Sequence, residues 1–372
     1  MIGHEDLLAA PRGRRFCFEL LRQLVDDGSD SRAEPDATLF WATYHLDRRR
    51  GTAGTLFGPG ADTPAREPSA GRVDASFDGL LRSADRSAAT VLHVLRALGE
   101  TADTAWWWQE PDAIDVLLAS PDRAGLVSRM VTACLALPPV VGLLTSGGAA
   151  PQWHTRFAGD EGVVDDDRSG VRSARAVSAE WRHALLAEVA DGARRRRRRP
   201  AAAAVSGAWW STPPHGLLTT TAAAGEHGPI GLWAVEDSFG WERASVSAVP
   251  TPGSAAVAVI DGPDDWAALC RRASIDVSTT TRRHDWFRAT GVDGDWVPPD
   301  WVELAEEFDA VHLTVRGWLA TGGLAIPVGA GTASVVAGWT PDTTVWLRDP
   351  APAVDQAMSQ HWVWDDRGWR RV

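Results

Sequence analysis

The segment from Val297 to Leu347 constrains the fold more than any other part of this 372-residue chain, because helix and strand signals alternate in it over short distances. Asp300 stands where it can cap a helix, and Trp301, Leu304 and Phe308 then form one apolar face at helical spacing. The segment is therefore predicted to begin with a short amphipathic helix that packs through its aromatic side.

The rest of this segment predicts a series of short elements. Thr314 can cap a second helix, and the Gly322-Gly323 pair can end it. Runs of apolar and β-branched residues predict strands at Ala310–Leu313, Leu324–Val328, Thr332–Gly338 and Thr343–Leu347. The pattern specifies a piece of fold, but it is not the signature of a particular reaction.

The two halves of the chain differ in pattern. Residues 1–140 carry amphipathic helical runs separated by prolines, whereas the residues after Trp209 carry short β-rich runs separated by glycine and proline turns. We therefore predict an α+β protein with a helical N-terminal half and a β-rich C-terminal half with a few helices. The strands predicted after Trp209 outside the first segment are Leu217–Thr221, Ile230–Val235, Ala244–Val249, Ala255–Ile260, Ile275–Thr280, His361–Trp364 and Trp369–Val372.

Six consecutive arginines, Arg194 to Arg199, mark the change in composition. Because a run of like charges is usually a solvated linker, we predict a mainly helical domain at 1–193, an Arg/Ala-rich linker at 194–204 and a β-rich α+β domain at 205–372. The alternative is that the run tethers an acidic partner or a nucleic acid through its positive charge.

The composition excludes several classes of enzyme. The chain has no lysine and no asparagine, and it has 20 tryptophans but one tyrosine. Pyridoxal-phosphate enzymes need a Schiff-base lysine, and P-loops and protein kinases need a phosphate-binding lysine. The loss of both residues in favour of arginine, alanine and glycine is typical of a very GC-rich genome, which predicts an actinobacterial source. A net charge of −12 argues against general nucleic-acid binding.

The sequence also predicts neither a metal, a cofactor nor a membrane span. Cys17, Cys134 and Cys270 are isolated, so they lack the spacing of a zinc site or a disulfide framework. No apolar stretch approaches the length of a transmembrane helix, and the N-terminus lacks a continuous apolar signal region. We therefore expect a cytoplasmic protein.

The block from Asp309 to Trp318, Asp-Ala-Val-His-Leu-Thr-x-x-Gly-Trp, resembles the last conserved block of the SGNH hydrolases. In that family an Asp-x-x-His supplies the orienting acid and the base of a serine triad, so the resemblance implies that Asp309 and His312 form a catalytic acid–base pair. The nucleophile block has only a distant analogue at Glu236-Asp237-Ser238, and the family's Gly-x-Asn-Asp block cannot exist without asparagine. Alternatively, His312 is a hydrogen-bonded structural residue where a strand meets a helix.

Longer stretches of the chain resemble a group of uncharacterised actinobacterial proteins. The resemblance rests on Leu7–Arg15, Trp108–Asp112, Asp309–Thr314 and Gly338–Asp342. It implies no activity, and therefore no site residues.

The tryptophans are the strongest indication of function. Adjacent side chains diverge, so the rings at 106–108 and 209–210 cannot all face one core, and some should be exposed or line a groove. Such rings suit planar ligands, sugars and cations, although tryptophan could also fill a core that is poor in other aromatic residues. The leading hypothesis is a binding or interaction protein for an unknown small molecule or protein partner. The predicted Trp/Arg-lined cleft consists of Trp107, Trp108, Trp209, Trp210, Arg282 and Arg283. The alternative is a hydrolase or transferase that uses Asp309 and His312.

Overall fold

The predicted α+β class is confirmed by a computed structural model, in which the helices lie mostly in the N-terminal half and the strands in the C-terminal half. The structure describes residues 3–25, 30–57, 64–145, 151–159, 162–163, 172–194, 200–203, 205–236, 240–250, 253–350, 359–365 and 368–372.

Several helices begin at residues that favour the start of a helix. Pro11 opens the second helix, Ser69 caps the fourth, and Thr90 forms a capping box with His93 at the start of the fifth. Helices α1 to α8 lie at His4–Ala9, Pro11–Gln23, Asp30–Arg50, Ala70–Ser83, Val91–Asp103, Ala113–Leu118, Ala124–Leu135 and Pro138–Thr145. Helices α9 to α13 lie at Ala174–Arg194, Pro263–Arg272, Arg282–Thr290, Trp301–Leu304 and Val315–Thr321.

Most strands belong to one sheet. Strands β1 to β6 lie at Gln152–Gly159, Gly162–Val163, Thr219–Ala222, Arg243–Val249, Val257–Ile260 and Asp295–Trp296. Strands β7 to β12 lie at Ala310–Leu313, Ile326–Gly329, Thr332–Ser334, Thr344–Trp346, Gln360–Asp365 and Gly368–Arg371. The large sheet has the order β12-β11-β4-β1-β3-β10-β7-β5, with β2 beside β1, and β6, β9 and β8 form a small second sheet.

The large sheet draws on both sides of the predicted domain boundary. Strand β1 precedes the arginine run, yet it pairs with β3 and β4, which follow it. One hydrophobic cluster likewise joins buried residues of both halves. The division into 1–193 and 205–372 stays a prediction, and residues 195–199 and 204 of the linker lie outside the described residues.

Two predicted strands take other conformations. Within Ile230–Val235, the residues Ile230–Leu232 form a 3₁₀ turn, in which the Trp233 N–H donates to the Ile230 carbonyl. Within Ile275–Thr280, the Asp276 carboxylate accepts from the Ser278 N–H at 2.9 Å and turns the chain. The parallel partner of β5 is β7, which lies much later in the sequence.

The segment from Val297 to Leu347 contains the predicted elements, but its first helix is short. Asp300 caps α12 as predicted, and Thr314 caps α13 by accepting from the Gly317 N–H. Helix α12 spans only Trp301–Leu304, and Asp309 bonds to Ala256 through both its N–H, at 2.8 Å, and its carboxylate, at 2.9 Å. These two bonds align β7 beside β5.

Helix α2 holds the helical layer together through charges as well as apolar packing. Its buried Arg12 is paired with the buried Asp115 of α6 and donates to the Thr101 carbonyl of α5 at 3.1 Å. Charge-assisted bonds of this kind are stronger than neutral ones. Breaking a buried pair by removing one partner is strongly destabilising. The Arg12 contacts therefore fix the positions of α5 and α6 relative to α2.

No single helix among the described residues is long and apolar enough to cross a bilayer. The helical stretches Pro121–Leu135 and Pro138–Thr145 reach the required length and composition only when they are taken together, and they are bent by 82° at their junction.

Three tryptophans contact one another in the part of the core that belongs to the C-terminal half. Trp301 is fully buried, and its ring centroid lies 6.2 Å from that of Trp266 and 5.8 Å from that of Trp339. The predicted core role of Trp301 is therefore confirmed, and Phe308 packs against the same core as a partly buried residue.

Trp301→Ala should lower the free energy of unfolding by about 3–5 kcal/mol, because it replaces a fully buried large side chain by a small one. Urea denaturation followed by far-ultraviolet circular dichroism measures this change. Phe57→Ala is the control, because the Phe57 side chain is 91% exposed. A loss below about 1 kcal/mol for Trp301→Ala would contradict the buried placement of its ring.

Candidate functional site

Strand β1 provides the floor of the candidate site. Side chains two residues apart on a strand point to the same face of a sheet. Trp153, Thr155 and Phe157 therefore form one row along β1. Hydrogen bonds to β3 on one side and β4 on the other hold this row inside the sheet.

A cavity of about 540 Å³ lies where helix α5 meets this sheet. We call it the aromatic cleft. Its apolar and aromatic lining comes from Phe157, Leu232, Trp233, Val235, Gly240, Trp241, Trp364 and Trp369. Its polar lining, together with one glycine, comes from Gln23, Arg96, Gly99, Glu100, Asp103 and Glu242.

The rings of the cleft form a connected set. Phe157 stacks on Trp241 with ring centroids 4.6 Å apart and planes at 12°. Phe157 also contacts Trp369 at 5.7 Å, Trp369 contacts Trp364 at 5.8 Å, and Trp364 contacts Trp233 at 5.9 Å. The side chain of Trp364 is 41% exposed, so part of this set remains open to solvent.

Trp233 is held in place by a hydrogen bond and by its close packing against two glycines. Its indole N–H donates to the His227 carbonyl at 2.8 Å. Gly368, at φ +132°, leaves room for the ring, because a Cβ there would lie 2.4 Å from it. On the backbone side, a Cβ at Gly99 would lie 2.6 Å from the Trp233 carbonyl oxygen. Both glycines are therefore needed for the observed position of Trp233.

The polar lining of the cleft is mainly acidic. Glu100 and Asp103 on α5 and Glu242 beside β4 contribute carboxylates, and Arg96 contributes the one positive charge among the described lining residues. Burial raises the pKa of Glu100, and the neighbouring Glu19 carboxylate raises it further. Burial also raises the pKa of Asp103. A nearby cation would therefore stabilise the charged form of both carboxylates.

A second cavity, of about 140 Å³, adjoins the cleft. We call it the threonine chamber. Phe157 and Val235 line both cavities, so these two residues stand between them. The remaining lining of the chamber comes from Trp153, Thr155, Thr219, Thr220, Thr221, Gly231, Thr340 and Thr343.

The tryptophans predicted from the sequence lie elsewhere. Trp107 is buried, and its indole N–H donates to Glu236 at 2.6 Å. Trp108, Trp209 and Trp210 do come together, with ring centroids 5.1 Å apart for the first pair and 5.9 Å for the second. We call these three the junction tryptophans. None of the predicted residues is among those that line the aromatic cleft or the threonine chamber.

The two predicted arginines lie on α11. Arg282 is buried and paired with Glu188 of α9, which gives it a role in joining two helices. Arg283 is half-buried on the same helix. The assignment of these residues to a ligand site stays a prediction.

His312 lies in β7 with 1% of its surface exposed. Its Nδ1 atom shares a hydrogen bond of 2.8 Å with the Thr344 hydroxyl of β10. Its Nε2 atom faces Asp342 Oδ1 at 3.9 Å, and neither of these two atoms has a hydrogen-bond partner among the described residues. The other oxygen of Asp342 accepts from the Ala222 N–H at 2.6 Å.

Asp309, the predicted partner of His312, has other contacts. Its carboxylate accepts from the Ala256 N–H and from Arg348, at 2.9 Å and 3.1 Å. Among the described residues, no hydrogen bond joins Asp309 to His312. The acid–base pair inferred from the resemblance therefore stays a prediction, and the carboxyl group that faces the imidazole is that of Asp342.

Burial determines the protonation of the His312–Asp342 pair. It lowers the pKa of His312 to about 4 and raises the pKa of Asp342 to about 7. Near pH 5.5 to 6, between these values, the imidazole and the carboxyl group are both uncharged. Asp342 also has a positive φ of 63°, which is uncommon outside glycine.

No group of three or more His, Cys, Asp or Glu side chains that could hold a metal ion occurs within the part of the chain that the structure describes. No family model matches the chain, and comparisons with curated proteins and with solved structures find no match either. Function must therefore be inferred from the cavities and their side chains.

Sequence reasoning missed the tryptophans of the cleft. The terminal hairpin that carries Trp364 and Trp369 was predictable, and β11 and β12 confirm it. The pairing of β11 with β4, which brings these rings near Trp241, has no local signal. The alternation of Trp153, Thr155 and Phe157 is the one local pattern that could have indicated the floor of the site.

Asp342→Asn should make stability depend more steeply on pH. In the folded protein the raised pKa of Asp342 adds stability that is lost as pH rises through about 7. The lowered pKa of His312 adds stability that is lost as pH falls through about 4. The two effects oppose each other at intermediate pH, and the asparagine removes only the first.

The free energy of unfolding of Asp342→Asn, relative to that of the original protein, should therefore rise by on the order of a few kcal/mol as the pH increases from about 4 to about 8. Urea unfolding at several pH values measures the difference. Asp293→Asn, a change at an exposed carboxylate, is the control. A difference between Asp342→Asn and the original protein that does not vary with pH would contradict a protonated Asp342.

Proposed function

We propose that this protein binds a planar organic cation in the aromatic cleft and acts as a binding protein. The observation that carries the proposal is the stacked pair of Phe157 and Trp241, with the partly exposed Trp364 nearby and carboxylates at the rim. The proposal keeps the predicted class of function but moves the site from the junction tryptophans to another set of rings.

The aromatic lining suits a flat ligand. Aromatic rings favour offset or edge-to-face contacts with other rings, and a cation over the face of tryptophan gains further attraction. A volume of about 540 Å³ lies within the range of small-molecule sites, which are mostly apolar with a few polar groups. The cleft therefore has the size and the lining of a site for a molecule of one or two fused rings.

The charges that line the cleft favour a positively charged ligand. Among the described residues that line the cleft, the three carboxylates of Glu100, Asp103 and Glu242 outnumber the one guanidinium of Arg96. The net charge of the chain, −12, acts in the same direction at longer range. A small cation is thus favoured over nucleic acid or another anion. We also propose a cytoplasmic location for the protein.

The alternative, a hydrolase or transferase that uses Asp309 and His312, has less support. His312 is almost fully buried, and burial keeps its imidazole neutral. The carboxylate of Asp309 is bonded to Ala256 and Arg348. A general base needs to reach its substrate, and the described surroundings of His312 do not favour this.

The charged probe 1-methylquinolinium should bind the protein more tightly than quinoline, its uncharged analogue near neutral pH. Isothermal titration calorimetry measures both dissociation constants. Trp364→Ala should weaken binding of the cation about tenfold, which corresponds to about 1.4 kcal/mol. Glu242→Gln should weaken binding of the cation but leave binding of quinoline unchanged.

Trp106→Ala is the matched control, because Trp106 is 39% exposed, much like Trp364, and does not line the cleft. It should leave both dissociation constants unchanged. Absence of binding, or an equal loss in Trp106→Ala and Trp364→Ala, would refute the proposed site.

A further inference from the structure

Two residues that line the threonine chamber have buried polar atoms that lack partners among the described residues. These are the indole Nε1 of Trp153 and the hydroxyl oxygen of Thr155. An unpaired buried donor costs free energy. Both residues belong to the row of side chains on β1 that continues to Phe157, so the two atoms lie on the same face of the sheet as the floor of the cleft.

The donors of the chamber define the group that fits it. An indole N–H can only donate, whereas a threonine hydroxyl can donate or accept. Trp153 therefore requires an acceptor atom on the ligand, and the Thr155 hydroxyl can form a hydrogen bond with a second atom of the same group. The Thr221 hydroxyl accepts from the Gly231 N–H at 3.0 Å and can still donate its own hydrogen.

The charge of that group is also restricted. None of the described residues that line the chamber carries a charge. The adjoining cleft has mainly acidic polar groups, which would repel a carboxylate. A neutral carbonyl or carboxamide supplies the acceptor without this repulsion. The volume of about 140 Å³ holds such a group, since liquid water occupies about 30 Å³ per molecule.

The chamber is close enough to serve the same ligand. Residues rise about 3.3 Å each along a strand, so Thr155 and Phe157 stand about 7 Å apart. Phe157 and Val235 line both cavities. A ring stacked in the cleft can therefore place a short substituent past Phe157.

We infer that the ligand is a planar organic cation that carries a neutral carbonyl or carboxamide group, and that Trp153 and Thr155 bind this group in the threonine chamber. The inference rests on the proposed function, because the ring is held by the aromatic cleft. It adds the part of the site that distinguishes one planar cation from another.

The test compares four probes by isothermal titration calorimetry. They are 1-methylquinolinium, its derivatives with a carboxamide at ring position 3 or 6, and its 3-carboxylate derivative. At least one carboxamide should bind about fivefold tighter than the unsubstituted cation, as one or two neutral hydrogen bonds predict. The carboxylate should show no such gain.

Trp153→Phe keeps an aromatic ring but removes the N–H, and Thr155→Val keeps the shape but removes the hydroxyl. Each change should abolish most of the gain in affinity that the carboxamide provides, while leaving the affinity for 1-methylquinolinium unchanged. Trp362→Phe and Thr212→Val are the matched controls, because each also removes a buried polar atom that has no partner among the described residues, but neither residue is among those that line the chamber. Both controls should retain the gain.

The outcomes separate the two proposals. If 1-methylquinolinium binds but neither carboxamide binds tighter, or if the gain survives in both Trp153→Phe and Thr155→Val, the role of the chamber is refuted and the cleft stands. If none of the four probes binds, the proposed function itself fails. Thermal unfolding of each variant, followed by circular dichroism, shows whether it is folded, and Thr155→Val decides the test if Trp153→Phe does not fold.

Discussion

The close approach of helix α5 to the backbone of Trp233 is the contact on which the site depends. A Cβ atom at position 99 would lie 2.6 Å from the Trp233 carbonyl oxygen, nearer than a real side chain comes, so this distance requires glycine. The indole of Trp233 is fixed in turn by its bond to the His227 carbonyl and by the space beside Gly368. Because α5 also carries Glu100 and Asp103, this one contact places two of the three carboxylates of the cleft beside its rings.

The site is built where the helical layer and the sheet share one core. Arg12 and Asp115 fix α2 to the helices around it, and the central strand β1 is paired with strands that follow it in sequence. The cleft takes side chains from both layers, so neither half of the chain contains a complete site. The buried pair of His312 and Asp342 lies deeper in the sheet, where its neutral state avoids the cost of a buried charge.

Local signals in the sequence were sufficient for the caps of α12 and α13 and for several strands, but not for the site. Asp300 and Thr314 cap the predicted helices because a cap depends only on residues within one turn. Ile230–Leu232 was predicted as part of a strand, yet it forms a 3₁₀ turn closed by the bond from the Trp233 N–H to the Ile230 carbonyl. Trp364 reaches Trp233 only through the pairing of β11 with β4, more than a hundred residues apart in the chain. Contacts of that separation leave no local pattern.

The central claim is that a cation binds among the rings of the aromatic cleft and not among the junction tryptophans. Each tryptophan gives one indole N–H signal in a ¹⁵N correlation spectrum, and Trp→Phe variants assign the signals. Titration with 1-methylquinolinium should shift the signals of Trp233, Trp241, Trp364 and Trp369, because these rings line the cleft. Shifts confined to Trp108, Trp209 and Trp210 would contradict the claim and favour the site predicted from the sequence.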